Sequence, residues 1–276
     1  MGRIFKYEIR RRLNTILILS GTMAVLAIGS MILLGVFKTP LGTMGTTGTT
    51  GDLWLGLTFF ALAFIPLVMF FTCSNGHIDE LLYKDTNYLM LTIPIRSESI
   101  LGGRILAGFV EYLIYAIIAS IFFIVIGAQQ VVFYGQSGQT LISVLGDVFY
   151  KIFVQNFLPF LYGVLLLVSL FLLVGTAFMF VKALTRSFIR KKMAAQIVAI
   201  ILFILIFERI IALGSYLSTR WDLVQYIDLR LVDSQYQPFG NIQPMPVHLV
   251  TVIMTLLISA GFFAATSWLF NKKVEL

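Results

Sequence analysis

Long uncharged stretches alternate along the chain with shorter segments that hold most of its charged residues. Six stretches reach the roughly 20 apolar residues that a helix needs to cross about 30 Å of hydrocarbon. Unpaired backbone groups are costly in lipid, and strand-length alternation is absent, so these stretches are predicted to be helices. The pattern predicts an all-α polytopic membrane protein with a single transmembrane domain over 1–276. The predicted spans are 16–37, 53–73, 105–127, 157–181, 193–213 and 247–270.

The composition agrees with a membrane protein, since 59% of the 276 residues are hydrophobic and only 12% are charged. No soluble core needs that much apolar surface. The first span is longer than the apolar run of a cleaved signal peptide, so it is expected to remain in the mature chain. Cys73 is the single cysteine, which excludes an internal disulfide framework and indicates a packing role.

The positive charges predict the orientation of the spans. Fifteen of the 20 Lys and Arg residues lie in the segments that share one side with the N-terminus. Cytoplasmic loops are rich in Lys and Arg, so both termini and the segments 74–104 and 182–192 are expected in the cytoplasm. The net charge of +7 is thereby explained without a nucleic-acid partner.

Three segments outside the spans carry predictions of their own. Residues 3–14 mix apolar and basic positions, which predicts an amphipathic helix lying in the membrane surface. Residues 141–156 predict a helix that begins above the membrane and bends near Pro159. The outer region 214–246 contains Trp and Tyr residues typical of an interface, and a helix over 217–232 is expected there.

The segment 74–104 is unusually long and mixed in charge for a connection between two spans. Its residues 79–91 have the amphipathic pattern of a helix, which Pro94 ends. Ser97 is placed to cap the next helix. A cytoplasmic partner could grip such a helix, but a solvated loop is an equally common explanation of a charge run.

The stretch YLMLTIPIRSESILGGRI and the basic N-terminus FKYEIRRRLNT, together with six spans, resemble the permease subunits of type-2 ABC transporters. The resemblance implies a coupling helix within 79–91 that docks on a separate ATPase subunit, and a second permease copy or sibling that completes the pathway. It also implies an exporter in a bacterial cell membrane. The implied coupling residues are Asp79, Glu80, Leu82, Tyr83, Lys84, Asp85 and Tyr88.

The chain contains no phosphate-binding loop of the Walker type. It is therefore expected to be a non-catalytic subunit that binds no cofactor, with ATP and Mg²⁺ held by the partner ATPase. The 25 Phe and 10 Met residues could form an adaptable apolar wall, which favours an amphiphilic or hydrophobic cargo such as a peptide, antibiotic or lipid-like molecule. Packing against membrane lipid explains most of them equally well.

Three charged residues within the predicted spans are candidates for a pathway or gate, because a charge in a membrane is costly and faces a partner, the bundle interior or water. Glu111 could line a substrate path, but pairing with a basic residue such as Arg104 is favoured. Glu208 and Arg209 lie near the outer boundary and point apart, so each needs a partner elsewhere.

Two enzyme classes are weakly suggested and disfavoured. The pattern Gly-Gln-Ser-Gly at 135–138 resembles that of intramembrane serine proteases, with His248 as a conceivable base, but the serine falls in a polar loop. His77 lacks neighbouring ligands at metal-binding spacing on one helix face and is expected to be a surface or capping residue. Two other classes remain open: a membrane anchor or sensor without transport, and an ion-coupled secondary carrier.

Overall fold

Long helices make up most of the chain in a computed structural model, which describes residues 2–37, 50–79, 97–134, 140–189, 191–220, 224–227 and 245–273. Two short strands, β1 and β2, interrupt the helical order before the last helix. In chain order the elements are α1 (Gly2–Phe37), α2 (Thr50–Ser74), α3 (Ser97–Tyr134), α4 (Leu141–Tyr150), a π-helical turn (Lys151–Gln155), α5 (Phe157–Phe188), α6 (Lys192–Arg220), β1 (Val224–Ile227), β2 (Met245–His248) and α7 (Leu249–Lys273).

Six of these helices, α1, α2, α3, α5, α6 and α7, are long and apolar enough to cross a membrane. They confirm the six predicted spans and identify the chain as a multi-pass membrane protein. Each of the six contains the greater part of one predicted hydrophobic stretch. Some continue well past it, because polar residues can extend a helix beyond the hydrocarbon: α3 begins at Ser97, and α5 runs on to Phe188.

The N-terminal residues belong to α1, which runs as one helix of 36 residues from Gly2 to Phe37. The basic segment 3–14 is therefore helical over its described length, but it is continuous with the first span. The structure describes no separate surface helix there. Glu8 is fully buried in α1, so this part of the helix packs against other protein segments as well as carrying exposed arginines such as Arg10.

The chain forms two compact units. One unit contains 10–70 and 110–157, and its core includes Met23, Leu55 and Tyr115, all almost completely buried. A hydroxyl pair joins α1 to α2 within it, where Ser30 Oγ donates to Thr58 Oγ1 at 2.6 Å. The unit therefore combines apolar packing with hydrogen bonds between its helices.

The connection that leads into α5 differs from the predicted bend. Thr140 caps α4, since its hydroxyl accepts the backbone N–H of Ser143 at 3.4 Å. After α4 the backbone forms the π-helical turn and a single turn residue, Asn156, before α5 begins at Phe157. A helix before the fourth span is confirmed, but the irregularity precedes Pro159 because proline is tolerated in the first turn of a helix.

The other unit contains Met1–Ile9, Phe71–Phe109 and Leu158–Leu276. Within it α6 packs on α7, and between them in sequence β1 and β2 pair antiparallel, with Val224 opposite His248. The predicted helix over 217–232 is therefore wrong across β1, because residues 224–227 form backbone hydrogen bonds to a second strand. Pro246 and the β-branched residues nearby suit a short two-stranded element better than a helix.

Candidate functional site: the anchors of the segment between α2 and α3

The end of α2 is a tight turn in which Gly76 and His77 adopt left-handed backbone angles, with φ of 55° and 50°. The N–H of Gly76 donates to the carbonyl of Cys73 at 3.0 Å, which closes the helix. A Cβ on Gly76 would lie 2.7 Å from Cε of Met179 and 3.1 Å from the backbone of Arg104. Glycine is therefore required both for the angle and for the space between α3 and α5.

Two further glycines let the backbone of α2 touch its neighbours. A Cβ on Gly108 of α3 would lie 2.0 Å from the carbonyl oxygen of Cys73, and one on Gly175 of α5 would lie 2.0 Å from that of Ser74. Small residues permit such close approach of membrane helices, where packing rather than the hydrophobic effect drives association. The last turn of α2 is thus held between α3 and α5 by direct backbone contact.

An ion pair fixes the chain just past this turn. Nζ of Lys182 on α5 donates to Oδ2 of Asp79 at 2.5 Å, and the ammonium also lies 4.5 Å from the ring centre of Phe178. The Lys182 side chain is only 7% exposed, whereas that of Asp79 is 43% exposed. Asp79 therefore supplies the negative charge that a nearly buried ammonium requires.

A second ion pair lies one helix away. Nη2 of Arg104 on α3 contacts Oε1 of Glu8 on α1 at 2.9 Å, and both side chains are essentially inaccessible. Nη1 of Arg104 also donates to the carbonyl of His77 at 3.5 Å. Arg104 thereby connects the start of α1, the turn after α2 and the first turns of α3.

The far end of the connection is fixed as well, because the hydroxyl of Ser97, the first residue of α3, donates to Oδ1 of Asn271 near the end of α7. We call the contacts Asp79–Lys182, Arg104–Glu8 and Ser97–Asn271 the three anchors. All three lie in the same unit. They bring together the ends of α1, α2, α3, α5 and α7 that the charge distribution predicts to face the cytoplasm.

Of the implied coupling residues, Asp79 is among the described residues, and it lies at the first anchor. The rest of the helix predicted over 79–91 lies outside the described residues, and so do Glu80, Leu82, Tyr83, Lys84, Asp85 and Tyr88. The pattern Gly-Gln-Ser-Gly at 135–138 also lies outside them.

Glu111 is buried in α3, in the unit that contains 10–70. Its Oε2 accepts from Nη1 of Arg12 on α1 at 3.3 Å, and its Oε1 accepts from the hydroxyl of Tyr115 at 3.5 Å. The expected pairing with a basic residue is present, with Arg12 as a partner where the sequence suggested Arg104.

Glu208 and Arg209 are both exposed on α6. Neither forms an ion pair with another residue in the part of the chain that the structure describes. Arg209 lies in a shallow depression of about 350 Å³ with Leu205 and Leu213. The predicted structural pairing for these two residues is thus not seen within the described chain.

The sequence did not predict the pairing of the anchor residues Glu8, Lys182, Ser97 and Asn271 with their partners. Comparison of the chain with protein-family models, with characterised proteins and with solved structures finds no match. The three anchors and the close backbone contacts at Gly108 and Gly175 attach the ends of these helices to one another.

Proposed function

We propose that the chain is the permease subunit of an ABC exporter, driven by a separate ATPase that binds the segment between α2 and α3. The observation that carries the proposal is that the chain enters this segment at Asp79 and leaves it at Ser97, each bound to a different span. A segment tied in this way can transmit force, whereas a loosely attached loop would absorb it.

The route of the force follows from the anchors. A push on the segment reaches α5 through Asp79 and Lys182, and α7 through Ser97 and Asn271. The last turn of α2 moves with it, because Cys73 and Ser74 contact α3 and α5 through glycine. ATP binding in the partner would shift the equilibrium between two arrangements of these helices, and with it the access of the pathway.

The remaining parts of the proposal rest on the sequence. The partner ATPase holds ATP and Mg²⁺, this chain contributes no catalytic residue, and a second permease copy or sibling completes the pathway. The cargo is amphiphilic or hydrophobic, and the termini are cytoplasmic. Glu111 serves a structural ion pair with Arg12, which its burial and its 3.3 Å contact support.

The binding experiment co-expresses the chain with the ABC ATPase that the proposal predicts to be encoded beside its gene, and tests whether the two purify together. Tyr83→Asp and Leu82→Asp should abolish the complex, because charge replaces the predicted apolar anchors of the docking helix. Tyr216→Asp is the matched control, since Tyr216 is 65% exposed on α6 at the end predicted to lie outside. Unchanged co-purification of the Tyr83 and Leu82 variants would contradict the assignment.

A second experiment separates an exporter from an anchor or sensor. Ser97→Ala removes the hydroxyl that binds Asn271 but leaves the predicted docking helix intact. The complex should still form, while stimulation of ATP turnover by cargo should fall, because part of the force route is lost. A protein that only anchors a partner would show no cargo-stimulated ATP turnover with either chain.

A further inference from the structure

An apolar cavity of about 470 Å³ opens between α3, α5 and α7, in the unit that contains the anchors. Ile105 and Phe109 of α3, Leu172 of α5, and Leu256 and Phe263 of α7 form much of its wall. No lining residue carries a charge. The volume lies in the range of small-ligand sites in proteins, about 300–1,000 Å³.

The two hydroxyl groups in the wall do not make it polar. Thr176 donates to the carbonyl of Leu172 at 2.7 Å, and Ser259 donates to that of Thr255 at 2.5 Å, so each hydroxyl is bound to its own helix. A water molecule needs two to four polar partners, and an apolar cavity without them stays dry. The occupant is therefore an apolar group.

The cavity is elongated along the three helices. Its wall extends over eight or nine residues on each helix, as from Gly102 to Phe109, which is about 10–12 Å at 1.5 Å per residue. A flexible chain of methylene groups can lie along a wall of this length.

A polar group lies next to the cavity on the side of the anchors. Ser267 follows Phe263 by one turn on the same face of α7 and is 3% exposed, and its hydroxyl has no hydrogen-bond partner within the described residues. Burial of such a group is costly unless a partner is supplied. An ester oxygen at the head of an acyl chain is an acceptor of the right kind at that place.

We propose that the cavity binds one acyl chain of a bilayer phospholipid, with the ester of that chain accepting from Ser267. The walls belong to three membrane-spanning helices, so the surrounding medium supplies alkyl chains at high concentration. The bound phospholipid holds α3, α5 and α7 at a fixed spacing. This site does not depend on the exporter assignment.

The test measures phospholipid retained by the purified chain, by native mass spectrometry after extensive washing in detergent. Wild type should keep one phospholipid and Ala260→Trp should lose it, because Ala260 lines the cavity and the indole occupies it. Ala264→Trp is the matched control, since Ala264 lies one turn further along α7, exposed and outside the cavity wall. It should retain the lipid.

A second measurement keeps the inference testable if Ala260→Trp does not fold. Wild type in vesicles of phosphatidylglycerol that carries a photoreactive group within one acyl chain should be labelled on Ile105, Leu172 or Phe263 even after competition with excess detergent. Ser267→Ala should weaken retention without abolishing it. Absence of retained lipid in wild type, equal retention by Ala260→Trp, or a retained mass that is cargo or a second chain would overturn the inference.

Discussion

The contact between Gly108 and Cys73 predicts that Gly108→Ala destabilises the chain, which is the opposite of the usual effect of replacing a helical glycine by alanine. Replacing a helical glycine by alanine ordinarily stabilises a helix by about 1 kcal/mol, because alanine loses less backbone entropy. At position 108 the new Cβ would lie 2.0 Å from the carbonyl oxygen of Cys73, whereas real Cβ contacts are not shorter than 3.0 Å. The contacting atom is backbone and cannot rotate away, so α2 and α3 must separate by about 1 Å.

The magnitude follows from these opposing effects. Overpacking costs about 1–3 kcal/mol, and a backbone clash belongs at the upper end of that range. Subtracting the gain in helix propensity leaves a net destabilisation of about 2 kcal/mol. For a chain of this length such a loss lowers the unfolding midpoint by about 4–8 °C.

The assay for Gly108→Ala is thermal unfolding in detergent, combined with the rate of alkylation of Cys73, which is buried and is the only cysteine. The unfolding midpoint should fall, and alkylation of Cys73 should become faster because α2 and α3 separate at this residue. Gly127→Ala is the control on the same helix, since a Cβ there meets nothing within 4 Å. It should leave both quantities unchanged or raise the midpoint slightly. A Gly108→Ala chain as stable as wild type would refute the close backbone contact.

The remaining predictions concern the other contacts of the two units. Gly175→Ala should destabilise the chain by an amount similar to Gly108→Ala, with Gly163→Ala on α5 as the control that meets open space, and unfolding midpoints compare the two. Asp79→Asn should destabilise the chain by about 3 kcal/mol, because it leaves the nearly buried ammonium of Lys182 without its negative partner. Lys182→Met should cost less than about 1 kcal/mol, because the carboxylate that it leaves is accessible. Equal losses in thermal unfolding would show that Lys182 reaches water. Glu111→Gln should lower the unfolding midpoint, since the ionic contact between Arg12 and Glu111 is lost, whereas a normal midpoint with impaired transport would indicate a pathway role instead.

The six spans were predictable from the sequence because the requirement that a bilayer imposes is local. A helix must carry enough consecutive apolar residues to cross the hydrocarbon, and composition along the chain reveals this directly. The stretch 157–181 illustrates the point, since α5 begins at the predicted residue, Phe157. The end of α5 was not predicted. The helix continues past Lys182 to Phe188, and membrane insertion alone does not require this extension.

The sequence also indicated that Glu111 would pair with a basic residue, but not that Arg12 would be a partner. The cost of a charge within a span is a local property, while the choice of partner depends on the rotation and register of two helices distant in sequence. For the same reason the ion pair between Glu8 and Arg104 was not predictable from the sequence. Nothing in the sequence distinguishes either residue from other charged residues at the ends of spans.

The tertiary structure alone decided the role of Gly108 and Gly175, because a glycine in an apolar run becomes informative only when a neighbouring backbone is known to occupy the place of its missing Cβ. It likewise decided that residues 224–227 form a strand, since strand pairing needs a partner segment some twenty residues away. What the bilayer demands of each segment is local and can be derived from the sequence. What the segments demand of one another depends on their arrangement in space.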